Sequence, residues 1–111
     1  EYLYLGKNYP NVHLDLCWLH IIDPVFARNL LSEGLTAVPH SKFHAFGGDY
    51  GDEILHATAH LSIARDVVAA ALAEQVEDGW IDEGEALQVA ADWLFNNPNE
   101  FFGLGFERLE G

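Results

Sequence analysis

The stretch SKFHAFGGDYGDE, Ser41–Glu53, ends an aromatic-rich segment with two glycines and a bare carboxylate, Asp49. A carboxylate just past the carboxyl end of a strand can bind a metal ion or act as base on a metal-bound water. The two glycines keep the backbone open, so that a ligand can come close. The plainer role for Asp49 is to cap the helix that follows. Two histidines, His56 and His60, stand four apart at the start of the next helical stretch. That is a metal-ligand spacing, but the residues between them are Ala-Thr-Ala, and the glutamate of an HExxH zinc site is missing. Their nearness to the Asp49 turn puts them at the mouth of a site. An earlier apolar run closes on CWLH, which places Trp18 and His20 at a strand end, as pocket residues or, for His20, as a structural hydrogen bonder. Asp15, inside that run, needs a partner if ionised, and Cys17 reads as a small buried hydrophobe. If alternation holds, residues 43, 45, 47 and 49 share a face, leaving His44 on the other, packed against a helix. His40 reads as a loop residue. The chain has no glycine-rich phosphate loop and no nucleophile elbow.

These side chains must be positioned by elements whose order is helix, strand, helix, strand, helix, helix. Residues 1–7 read as the end of a helix, left through Gly6 and the Pro10-Asn11 turn. The run VHLDLCWLHII, Val12–Ile22, is apolar nearly throughout, which suits a strand buried on both faces. Asp23-Pro24 supplies an N-cap and a first helical residue, and Gly34 a stop. A second strand spans about 42–47. A long helix from about 53 to 78 carries Leu61, Ala64, Val68, Ala71 and Leu72 at helical spacing and ends at Gly79. Another, about 82–95, opens with an Asp82–Glu85 capping box and stops at Asn96-Asn97-Pro98. Strands alternating with helices imply a parallel sheet. Two parallel strands alone leave both edges open, which predicts either a piece of something larger or pairing with another copy.

Half of the 111 residues are apolar, enough for one small domain with a modest core. The 18 acidic residues outnumber 5 basic ones, for a formal charge of −13. Such a balance argues against nucleic acid and anionic membrane surfaces as partners, since Lys and Arg do that binding. A single cysteine, Cys17, allows no internal disulfide and suits a reducing, cytoplasmic compartment. No basic-then-apolar segment opens this sequence, and no apolar run approaches transmembrane length. The absence of any methionine, with a helical opening at Glu1, suggests a C-terminal piece of a longer protein.

Taken together, YPNVHLDLCWLH, FHAFGGDY, AHLSIARDVVAAALAEQVEDG and ALQVAADWLFNNPNEFFGL resemble the C-terminal end of an amidohydrolase-superfamily protein, in its amidohydrolase-related (amidohydrolase 2) group. The resemblance spans nearly the whole chain. It implies an α/β fold: residues 1–111 would be a partial domain carrying about strands 7 and 8, with their helices, of a (β/α)8 TIM barrel. PNV-x-x-D would be the seventh strand and FGGDY the eighth. It also implies that Asp49 is the aspartate after the eighth strand, binding the metal or the hydrolytic water and shuttling a proton. Trp18 and His20 would lie at the rim of that pocket, with His56 and His60 close by.

The function implied is that of a metal-dependent hydrolase. A divalent metal, zinc foremost, polarises the carbonyl of a small-molecule substrate and activates water. The His-x-His and further histidines of the family are absent, so the chain alone is expected to be inactive, with the remainder of a barrel or a homo-oligomer as partner. Lyases, decarboxylases and uronate isomerases of the same superfamily are the nearest alternatives. A non-catalytic α/β module that buries its strand edges by self-association is the alternative from another class.

Overall fold

The first apolar run does not stay extended. A computed structural model describes residues 1–111, and in it strand β1 is only Leu14–Asp15. It pairs in parallel with an equally short β2, Phe43–His44, Leu14 opposite Phe43 and Asp15 opposite His44. Leu16 adds one more ladder bond, its N–H donating to His44 O at 3.0 Å. Trp18 then takes a left-handed backbone, φ 65°, and the chain turns into helix α2, Leu19–Ile22.

Strands near 12–22 and 42–47, forming the seventh and eighth staves of a (β/α)8 barrel, are therefore overturned. The chain is mostly helical around one two-stranded sheet. The physical reason lies in the run itself. Leu14, Leu16 and His20 are buried, but Ile21 and Ile22 are exposed, Ile22 to 72%. A strand sandwiched between helix layers would bury them all. A short apolar run does not distinguish such a strand from a strand, a turn and a helix in succession.

Helix α1 spans Tyr2–Asn8. Helix α3, Pro24–Ala37, starts where Asp23 accepts a bond from Phe26 N at 2.9 Å. It runs through Gly34 rather than stopping there. Gly34 is buried beneath the Phe43 ring, and a Cβ at that position would lie 2.4 Å from Phe43 Cζ. Helix α4, Ile54–Glu77, buries His60, Ala64, Val67, Val68, Ala71 and Leu72, with Leu61 at the margin of exposure. Gly79, φ 75°, ends it. Helix α5, Glu83–Ala91, opens with the reciprocal Asp82–Glu85 capping box. The chain then passes through a π-helical turn, Asp92–Asn96, into α6, Asn97–Phe101. The core gathers the sheet residues Leu14, Leu16, Phe43 and Ala45 between Leu31 of α3, Val68 and Ala71 of α4, and Trp93.

Neither sheet edge is left open. On β1 the Tyr2 hydroxyl bridges the backbone, donating to Asp15 O and accepting from Asp15 N, both at 2.7 Å. On β2 Asn97 Nδ2 donates to Phe43 O at 2.8 Å, and Ala45 N–H donates to Trp93 O at 2.9 Å. The backbone groups that would recruit another strand are satisfied from within. No helix is long and apolar enough to cross a membrane.

Candidate functional site

The two chains of residues leaving β1 and β2 run close together, and that contact explains one glycine of the pair. A Cβ on Gly47 would lie 2.8 Å from Cys17 Cβ and 2.9 Å from its Sγ. Gly48 meets nothing nearer than 3.5 Å. Neither glycine has a positive φ. The left-handed residue is Asp49 itself, φ 46°. Aspartate tolerates this region better than most side chains, at a small local cost.

The Asp49 carboxylate is exposed and makes no hydrogen bond or ion pair. The N-cap of α4 is Glu53, and it too makes no side-chain capping bond. Asp49 is thus no helix cap. It is a free carboxylate in a sparsely populated backbone conformation, an arrangement that recurs at functional sites. Its field reaches the neighbouring thiol: burial foremost, then the charges of Asp15 and Asp49, push the Cys17 pKa up. Cys17 is exposed, not buried as its sequence setting suggested. Asp15 is also exposed; its Oδ1 accepts from Cys17 N at 2.8 Å, closing a local turn.

Beneath this turn lie two buried imidazoles. His20, from α2, is held by Nε2 at 2.6 Å from Ala45 O. A carbonyl only accepts, so Nε2 carries the proton and Nδ1 keeps its lone pair. That Nδ1 is buried with no partner, and so are both ring nitrogens of His60 from α4. The ring centroids are 6.2 Å apart. Phe46, Tyr50 and Trp18 surround His60, their centroids at 5.1, 5.9 and 6.2 Å from it. Burial holds both histidines below the usual imidazole pKa. The Ala45 carbonyl partly opposes this for His20, and His20 adds to it for His60.

Of the four expected pocket residues, the structure brings together Trp18, His20 and His60. His56 stands apart, exposed and paired with the Glu53 carboxylate. Phe46 and Tyr50 complete the aromatic wall without having been singled out, although both sit in the FGGDY stretch. Two other polar clusters escaped sequence reasoning. His13 and His44 bond ring to ring beside Phe101. Buried Asp92 collects His40, Gln88, Asn96 and Arg108, held on the π-helical turn. Neither has a local sequence signature, since partners such as His40 and Asp92 are far apart along the chain.

No three His, Cys, Asp or Glu side chains converge closely enough to hold a metal. A metal on Asp49 would need companion ligands from outside this chain. No protein-family model, no curated protein and no solved structure matches the chain.

Proposed function

We propose that this chain carries the proton-transferring carboxylate and part of the substrate wall of a metal-dependent hydrolase of the amidohydrolase-related kind. The observation that carries the reading is Asp49, an unbonded, exposed carboxylate held in a left-handed turn beside an aromatic-walled pair of histidines. The resemblance of YPNVHLDLCWLH and FGGDY to that group supports it at the level of sequence.

In this reading Asp49 takes the proton of the attacking water and returns it to the leaving group. Trp18 and Tyr50, their ring centroids 5.3 Å apart and tilted by 41°, supply an aromatic wall for a small-molecule substrate. A divalent ion such as zinc, when bound, supplies a polarised carbonyl and an acidified water. No step is assigned to an ion on Asp49, because its companion ligands are not in this chain. For the same reason the 111 residues alone are expected to turn over no substrate. A cytoplasmic site of action belongs to the same proposal, resting on the lone cysteine.

The test is hydrolysis of a panel of simple amides and esters by the protein purified from its source, with and without added zinc. Asp49→Asn keeps the turn, since Asn also tolerates a left-handed backbone, and removes the base. Metal-dependent turnover should fall by about a hundredfold or more. Full activity in that variant, or no metal-dependent hydrolysis of any substrate, sinks the reading. Self-association through strand edges has no comparable support, because both edges are already covered.

A further inference from the structure

The segment Phe106–Gly111 lies across α5, the π-helical turn and α6, and it is held mainly by its backbone. Asn99 brackets Phe106: Nδ2 donates to Phe106 O at 2.8 Å, and Phe106 N–H donates to Oδ1 at 3.1 Å. Asn96 brackets Leu109 in the same way, at 2.9 and 2.8 Å. Gly111 N–H donates to Gln88 Oε1 at 3.1 Å. Between the brackets, Arg108 donates from Nη2 to Asp92 at 3.0 Å and turns Nη1 toward Glu100 at 3.5 Å. Gln88, Asp92, Asn96 and Asn99 follow at steps of four, four and three, which lines them up on one face. The segment runs antiparallel to them.

A carboxamide that meets both the N–H and the C=O of one residue reads backbone rather than side chain. Accordingly Phe106 is 62% and Leu109 50% exposed, while Asp92, Asn96 and Asn99 beneath them are no more than 7% exposed. The apolar hold is slight: Phe106 leans on Phe95, ring centroids 6.1 Å apart. A segment so held opens at low cost. The stripe it uncovers presents carboxamides to a peptide backbone and carboxylates to a cation. Its approach is a hinge, since Gly103 and Gly105 flank Leu104 with φ 62° and 77°, conformations that other residues resist. Exchange of such an element with another copy rebuilds every contact, which makes it a low-cost route to a dimer. The segment whose fit is shown is aromatic-x-Arg-aliphatic, and Arg108 is one of only 5 basic residues in an acidic chain.

We propose that the stripe of Gln88, Asp92, Asn96 and Asn99 is a peptide-docking surface, filled by residues 106–111 of its own chain or, by exchange, of a second copy. None of these residues belongs to the Asp49 turn, so the inference goes beyond the hydrolase reading and stands or falls apart from it.

The experiment titrates the isotope-labelled, unaltered chain with an unlabelled peptide of residues 103–111, GLGFERLEG, standing in for a second copy's segment. The peptide competes with a tethered rival whose effective concentration is of millimolar order, so it is taken to about 10 mM. The chain's own Phe106 and Leu109 amides should move to the NMR shifts of an unstructured peptide. The side-chain amides of Asn96 and Asn99 should stay, because the peptide gives them the same partners. The peptide carrying Arg108→Glu, which turns a carboxylate toward Asp92 and Glu100, should leave Phe106 and Leu109 bound at the same concentrations. In a second measurement Gly105→Pro, which cannot take a positive φ, should dimerise in sedimentation, and adding Arg108→Glu should return it to monomer. Phe106 and Leu109 amides that never leave their bound shifts overturn the proposal, whatever the variants do. Release without a dimer in Gly105→Pro overturns the second copy as occupant. A dimer indifferent to Arg108→Glu forms elsewhere on the surface and overturns it too. The peptide titration is read on the unaltered chain, so its outcome does not depend on a variant folding.

Discussion

His13 Nδ1 lies 3.1 Å from His44 Nε2, with the Phe101 ring against both. Two neutral imidazoles can share one proton in such a bond, whereas two imidazoliums would repel. His44 is buried, and its pKa is held below the usual imidazole value, by burial first and by His13 second, with Asp15 opposing.

This gives the stability a pH dependence of known sign. His44, His20 and His60 all have lowered pKa values in the fold. Above the ordinary histidine pKa of 6.5 all are neutral, folded or unfolded, and their contribution is fully present. Below it the unfolded chain takes up protons that the native state refuses. Stability therefore falls as pH drops from 6.5 towards the lower folded values. The slope is at most about 1.4 kcal/mol per pH unit for each histidine. Urea unfolding at about pH 7.5 and about pH 5 measures it. His44→Gln should reduce the loss, and equal midpoints for the unaltered chain at both pH values would refute the assignment.

Asp49 and Cys17 should report on each other. Burial and the charges of Asp15 and Asp49 raise the thiol pKa, so Cys17 is exposed yet short of thiolate. Reaction with an aromatic disulfide at mildly alkaline pH should be slow for an accessible thiol. Asp49→Asn should speed it about two- to threefold at low salt, with a smaller gain at high salt. An unchanged rate would mean that the carboxylate points away from the thiol.

What the sequence disclosed was the locally encoded part. The Asp23-Pro24 start of α3, the Asp82–Glu85 box and the Gly79 stop each depend on a few neighbouring residues, and each is present in the structure. The barrel assignment failed where tertiary context decides. Nothing in CWLH announces that Trp18 adopts a left-handed backbone, and that single residue converts a long strand into two short elements. Gly34 looked like a helix stop because glycine serves both chain ends and close packing; only Phe43, from another element, shows which. At the site, the sequence pointed to Trp18, His20 and His60 together, and the structure packs their rings near one another. The spacing of His56 and His60 could not show that only the second reaches the core.

The glycine pair before Asp49 should prove unequal. Gly47→Ala drives a methyl into Cys17, at 2.8 Å from its Cβ. Overpacking of this kind costs roughly 1–3 kcal/mol. Gly48→Ala meets only ordinary contacts and needs no special backbone. It should change stability by less than about 0.5 kcal/mol. Thermal melts of the two variants decide the point. Equal effects would show that the segments after β1 and β2 do not approach as closely as described.

The covered edge of β2 yields the last expectation. Asn97 Nδ2 donates to both His40 O and Phe43 O at 2.8 Å, from a nearly buried side chain. Asn97→Ala strands the Phe43 carbonyl in the interior and should cost about 1–3 kcal/mol. Asn97→Asp is the sharper variant, because it places acceptors against the same two carbonyls and should be at least as damaging. The corresponding change on the other edge, Tyr2→Phe, removes the bridge to Asp15 but leaves its backbone close to solvent, so the loss should be smaller. Chemical unfolding gives the order of the three. Sedimentation of Asn97→Ala asks a second question, whether an uncovered β2 edge recruits another copy. A destabilised variant that stays monomeric would show that Asn97 acts by satisfying buried backbone. A dimer appearing in that variant alone would show that it also keeps the edge closed to partners.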